Sequence, residues 1–331
     1  MNRARLIANP SSGNNRAAEL LPGLAARLRT IAADLDVALT SSSEETLQSA
    51  ARAAADGCEA LFVAGGDGTI NAALRGLLAS DERPAIPVGV IPLGTGNDFA
   101  KALDLGEDAD AAVSALSALR EVAVDVGLLN GRPFVNTSAG GFVADVSESV
   151  TEGLKDSTGK LAYLIGGVRA LLGSEPFAAR VRVHDPGAAP AWQGWQDVQM
   201  FAVCNGRFIG GGYPIAPEAV IDDRLLDVLV VPRLPRLEFV GVLQQIASGN
   251  GHQLEGVHAF RASAFDLELS RTVRVNTDGE LLEASCCEYR IGGGAVRFFC
   301  GPSPHAHRLP AVSADRHHDA GGGTSAAAGG A

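Results

Sequence analysis

The sequence predicts an α/β domain followed by a mostly β domain that forms a β-sandwich. Up to about residue 125, short apolar runs alternate with stretches of helical spacing, as a parallel sheet with crossover helices requires. Beyond that point strands with period-two alternation dominate and helices become rare. Two glycine-rich, acidic loops directly follow apolar strands, at the carboxyl ends where open α/β sheets bind ligands.

In chain order, residues 5–8 read as the first strand. Leu20, Leu24, Leu28 and Ile31 then recur at three- and four-residue spacing, and residues 37–40 read as the second strand. Ser42 with Glu45 makes a capping box that opens an alanine-rich helix. Residues 60–64 (ALFVA) form a continuous apolar run, suited to a strand buried on both faces. It runs straight into Gly65-Gly66-Asp67-Gly68-Thr69. Ile70, Ala73, Leu74 and Leu77 keep helical spacing, and residues 88–91 form the next strand. In the second half, Asn130-Gly131 marks a tight hairpin between residues 127–129 and 133–136. Residues 265–270 alternate apolar with polar, and further strand-like runs lie at 180–184, 199–203, 225–231, 273–276 and 296–299. Helical patterns at 161–172 and 237–247 interrupt them, the second stopped by Gly249. The expected division is an α/β domain over 1–126, completed by the last strand near 295–300, a β-sandwich domain over 127–292, and a disordered tail over 303–331, where apolar residues run out.

The chain has 331 residues, 46% hydrophobic and 20% charged, enough for two packed domains. Its 38 acidic and 27 basic residues give a net charge of -11, which opposes binding to nucleic acid. Cys58, Cys204, Cys286, Cys287 and Cys300 show no CxxC spacing and read as buried thiols. The histidines are isolated or fall in the tail and read as solvent-facing. No apolar run approaches the roughly 18 residues that a spanning helix needs, so the expected location is cytoplasmic.

Chemistry concentrates where the 60–64 strand meets the helix starting near Ile70. Glycines let backbone N–H groups turn toward a ligand, and a helix start favours negative charge, which together make a phosphate cradle. Asp67 inside that cradle fits if a Mg²⁺ ion stands between it and the phosphates; the less favoured alternative is a glycine-rich strand-to-helix turn with a helix-capping Asp. A second loop, Pro92-Leu93-Gly94-Thr95-Gly96-Asn97-Asp98-Phe99, repeats the same ingredients. A Walker A loop is excluded: its nearest approach, Gly153 to Gly159-Lys160, has one residue too many and continues with Leu161. A dinucleotide fingerprint fails because Phe99 replaces its last glycine.

These loops, with Asn9-Pro10-Ser11-Ser12-Gly13, NTSAGGF at 136–142, NGRFIGGGYPIAP at 205–217 and Asp278-Gly279-Glu280, resemble the diacylglycerol kinase catalytic-domain family, particularly its soluble bacterial lipid kinases. The motifs fall in family order up to about residue 300. The resemblance implies a nucleotide-binding domain of the NAD kinase and diacylglycerol kinase type, with ATP held by Asn9, Pro10, Ser11, Ser12, Gly13, Thr40, Gly66, Asp67, Gly68, Thr69, Ile70, Asn71, Ala72 and Thr95. It assigns Asp67, Asp98 and Asp125 to Mg²⁺ and its waters, as three converging carboxylates. Glu280 takes the role of general base toward a lipid hydroxyl. Val220, Asp223 and Leu225 match a structural Mg²⁺ site, although Arg224 stands where the family usually has glycine. Ala72 replaces a glutamate common in relatives, and Asn14-Asn15-Arg16 replaces an expected lysine. The implied partner is a lipid at a membrane surface, met by transient peripheral contact. Two alternatives remain: a NAD kinase-like enzyme acting on a soluble nucleotide, and an inactive module that binds lipid or nucleotide.

Overall fold

The computed structural model describes residues 1–10, 16–80, 86–94, 96–106, 108–142, 144, 175–184, 192–251, 254 and 256–304. The 161–172 helical pattern, His252 and the tail from residue 305 lie outside them. The first half runs β1 (Arg3–Ala8), α1 (Arg16–Leu28), β2 (Asp34–Leu39), α2 (Ser43–Ala53), β3 (Ala60–Gly65), α3 (Asp67–Ser80), β4 (Val88–Pro92), α4 (Asp98–Ala102) and α5 (Ala109–Leu116). Its strands pair in parallel in the order β2-β1-β3-β4. Every residue of β3 and β4 is buried, the reason that the apolar run at 60–64 shows no alternation. At α2, Ser42 accepts a hydrogen bond from the Glu45 amide at 3.2 Å. The Glu45 carboxylate reaches the Ser41 amide at 2.7 Å, so the reciprocal half of the capping box is shifted by one residue.

The second half is mostly strand, in accord with the predicted α/β plus β class: β5 (Glu121–Leu129), β6 (Arg132–Phe134), β7 (Thr137–Gly141), β8 (Phe177–Val183), β9 (Trp192–Cys204), β10 (Phe208–Ile209), β11 (Tyr213–Pro214), β12 (Leu226–Pro232), α6 (Arg236–Ala247), β13 (His258–Ala262), β14 (Ala264–Thr277) and β15 (Glu280–Phe299). Asn130 and Gly131, at φ 50° and 78°, form the β5–β6 turn. The runs at 265–270 and 273–276 belong to one strand, β14, whose register shifts between Glu268 and Val273. Residues 296–299 are only the end of β15. That strand pairs with β14 through its first half and with β5 through its second, and touches β4 in parallel at Phe298. Among the described residues the main sheet therefore runs β13-β12-β9-β7-β14-β15-β4-β3-β1-β2.

One apolar core lies around the parallel strands, with Leu6, Phe62, Val90, Phe99 and Phe298 fully or almost fully buried. A second holds Phe134, Phe201, Phe265 and Tyr289, and a third packs Phe142, Met200 and Ile246 around Phe239 of α6. Four cysteines are buried, but Cys286 is exposed, because adjacent strand residues point to opposite faces and Cys287 takes the inner one. His184 does not face solvent freely: it lies 2.8 Å from Asp266, which also pairs with Arg182 and Arg290. His258 packs beside Trp195, with ring centroids 5.3 Å apart.

Candidate active site

Gly66 is the sole residue between β3 and α3, so the chain turns from sheet to helix without slack. The second glycine loop follows β4 and lies against this turn. A Cβ placed on Gly94 would meet the Gly66 Cα at 2.7 Å, so the two backbones touch where only glycine fits. Asn97, at φ 52°, closes that loop by accepting from the Gly94 amide and donating to the Gly94 carbonyl, both at 2.9 Å.

Asp67 is the first residue of α3, yet it caps a different helix. Its carboxylate accepts the amides of Asp98 at 3.3 Å and Phe99 at 3.2 Å, which open α4. Asp98 accepts the Gly211 amide at 3.0 Å and thereby fixes the 205–217 motif to the second loop. Burial pushes the Asp98 carboxyl above the usual carboxylate range; the Gly211 amide opposes this, and the neighbouring Asp67 adds to it. The Asp98 Oδ1 is buried without a hydrogen-bond partner, and the Lys101 ammonium stands 3.8 Å away. An orphaned buried carboxylate oxygen beside a second carboxylate fits a hard divalent cation.

Glu280 begins β15, immediately after a turn in which Asp278 and Gly279 have φ of 47° and 91°. Asp278 holds this turn from below. Its carboxylate accepts the amides of Val135 and Thr137 at 2.8 Å and of Asn136 at 3.2 Å. Burial nevertheless pushes the group up to about 6. The turn rests on the start of α3: a Cβ on Gly279 would lie 3.9 Å from the Gly68 Cα, and Asn71 donates to the Thr277 carbonyl at 3.4 Å. Arg75, one turn beyond Asn71 on the same face of α3, forms an ion pair with Glu280.

The other expected residues fall into three groups. Asn9 donates its amide to the Ala64 carbonyl at 3.4 Å, which brings the Asn9-Pro10 end of β1 beside the cradle, and the buried Thr40 shares a 2.8 Å hydrogen bond with Thr46. Ile70 and Ala72 are buried, so their side chains face the core and only their backbone is available to a ligand. Ser11, Ser12, Gly13 and Thr95 lie outside the described residues.

Asp125 departs from the expected trio. Its carboxylate accepts the Arg224 amide at 2.6 Å, its own amide donates to Ile221 at 2.7 Å, and burial pushes its carboxyl up. Among the described residues no three His, Cys, Asp or Glu side chains are placed to hold one metal ion together, so Asp125 does not join Asp67 and Asp98 in a single ligand set. The cause is the 221–224 turn, which claims Asp125 through Arg224. At the expected second metal site the carboxylates meet protein partners. Asp223 accepts the Leu225 amide at 3.1 Å and forms an ion pair with Arg261, whose guanidinium also lies 3.2 Å from Asp227.

Arg75 and Arg261 escaped the sequence reading, and Asn97 was named in the second loop without its loop-closing role. Arg75 had a readable signal, a cation four residues after Asn71 on an otherwise apolar helix; Arg261 had none, because only strand pairing brings it to Asp223.

Residues 3–129 match the diacylglycerol kinase catalytic domain family, and residues 137–300 match the YegS C-terminal NAD kinase beta sandwich-like domain. The chain is 34% identical over 281 residues to a "Probable lipid kinase YegS-like" of Pseudomonas putida, covering 84% of this chain and 86% of the relative. It is 29% identical over 282 residues to the diacylglycerol kinase of Bacillus subtilis, covering 85% and 90%. A diacylglycerol kinase crystal structure from Bacillus anthracis superposes with a TM-score of 0.69 at 20% identity, over 91% of this chain and 98% of that one, which shows a shared fold.

Proposed function

The chain belongs to the diacylglycerol kinase catalytic-domain family and is a lipid kinase; from that premise we propose that it transfers the γ-phosphate of ATP to the hydroxyl of diacylglycerol, a related glycerolipid or a sphingoid base. The observation that carries this reading is the packing of the Glu280 turn on Gly68, at the mouth of the cradle formed by the two glycine loops.

In this reading the backbone amides at the start of α3, over Gly66, Gly68 and Thr69, receive the phosphates. Asn9, Pro10, Ser11, Ser12, Gly13, Thr40 and Thr95 flank the nucleotide. Asp67 and Asp98 would hold Mg²⁺, which when bound neutralises charge on the phosphates. Glu280 accepts the proton of the lipid hydroxyl as the oxygen bonds to the γ-phosphorus and the bond to the departing ADP oxygen breaks. Asp125 positions the 221–224 turn. The α/β unit over 1–126, with residues 295–300, binds the nucleotide, and the 127–292 unit receives the lipid. The lipid is met by peripheral contact at a bilayer surface; no described helix is long and apolar enough to cross a membrane.

The test is incubation with labelled ATP, Mg²⁺ and a panel of lipids in mixed micelles, with NAD in parallel. Label in the organic phase is the expected result. Product from NAD alone, or none at all, would overturn the proposal.

A further inference from the structure

We propose that Arg261 supplies, from within the chain, the positive charge that a divalent ion would bring to the 220–225 turn, so that this turn is held without metal. The proposal does not depend on the kinase reading.

Two guanidinium groups serve the carboxylates around this turn, Arg261 for Asp223 and Asp227 and Arg224 for Asp125, and Oδ2 of Asp227 is left buried without a hydrogen-bond partner. Arg261 stands directly opposite Asp227 in the antiparallel β12–β13 register, so strand pairing itself delivers the cation. Its Nη2 pairs with Asp223 and its Nε lies 3.2 Å from Asp227, one planar fork spanning two carboxylates. The remaining Asp223 oxygen is taken by the Leu225 amide at 3.1 Å. Arg224, at φ 65°, turns its amide onto Asp125 at 2.6 Å, with its Nη1 3.4 Å from the same carboxylate. An incoming cation would have to displace a guanidinium with two partners and would then sit beside a cation that cannot lose its proton. Lysine would not serve equally, because a point charge cannot span both carboxylates in this way.

The experiment is thermal melting of the full chain without nucleotide, in chelator and in millimolar Mg²⁺ or Ca²⁺. The wild type and D223N are expected to respond identically to the ions. R261Q is expected to melt about 2 °C or more below wild type in chelator, to be raised again by Mg²⁺ or Ca²⁺, and to lose that rescue in R261Q/D223N. A rise in the wild type that D223N lacks would place a metal at this turn and overturn the proposal. So would an R261Q protein that neither ion stabilises. The comparison of wild type with D223N remains decisive should R261Q fail to fold.

Discussion

Arg75, on α3, forms an ion pair with Glu280, the first residue of β15, and so ties the helix behind the phosphate cradle to the carboxylate proposed as general base. Both side chains are about a third exposed, at 29% and 32%, so the pair is partly shielded from water while Glu280 stays open to a substrate. Removing the base itself, in E280Q, should cost about 10²- to 10⁴-fold in kcat with ATP binding retained. R75M should lower kcat by on the order of 10-fold, through misplacement of the carboxylate, with little change in KM for ATP. R75K should recover part of that loss. Steady-state kinetics separate the cases: a fully active E280Q removes the base assignment, whereas a dead E280Q beside an unaffected R75M removes only the positioning role.

Two glycines in the cradle should behave in opposite ways. A methyl on Gly94 would press on the Gly66 Cα at 2.7 Å, so G94A must push the loops apart and should lose about 1–3 kcal/mol of stability. A methyl on Gly68 meets nothing within 4 Å, and Gly68 lies in the first turn of α3, so G68A should keep or raise stability. Yet that methyl would stand where phosphate is proposed to bind, and KM for ATP should rise. Urea midpoints read against KM for ATP would show whether the two effects separate.

Legibility in the sequence followed the range of the interaction. The run at 60–64 announced a strand buried on both faces because each of its residues is apolar, and Asn130-Gly131 announced its hairpin because the turn's φ angles are a property of those two residues. β15 was seen only at its end, since its first half alternates with charged and polar residues on the outer face. Asp67 was read as either a cation ligand or a helix cap. It does cap a helix, but α4 rather than its own, a relation that no local pattern can express. Asp125 and Asp223 were placed by family order. Their arginine partners come from a positive-φ turn and from a neighbouring strand, neither of which spacing along the chain reveals.

Asn205 tests how the second half is fastened to the first. It is 1% exposed, and its side-chain Nδ2 donates to the carbonyls of Asp125 at 3.0 Å and Val135 at 2.8 Å. N205A would leave both carbonyls without this donor in a site too buried for bulk water to replace it. A loss of about 1–3 kcal/mol is expected, seen as a lower urea midpoint with an unchanged slope. A midpoint equal to wild type would mean that the two carbonyls need no donor there.

Asp278 gives the stability of the fold a defined pH dependence. Burial raises its carboxyl to about 6, even though three backbone amides favour the ionised form, while an unfolded aspartate titrates near about 4. Between those values the folded chain binds the proton that the unfolded chain has released, so this group's contribution falls as pH rises through the window and is level above it. D278N cannot titrate. Its urea midpoint should therefore lie furthest below wild type near pH 4, and the gap should narrow toward pH 6 and then hold constant. The residual gap above pH 6 reports the amide contacts of Val135, Asn136 and Thr137, which a carboxamide satisfies less well than a carboxylate. A gap that is the same across the whole series would show that Asp278 titrates alike in both states, and the burial argument for it would fall.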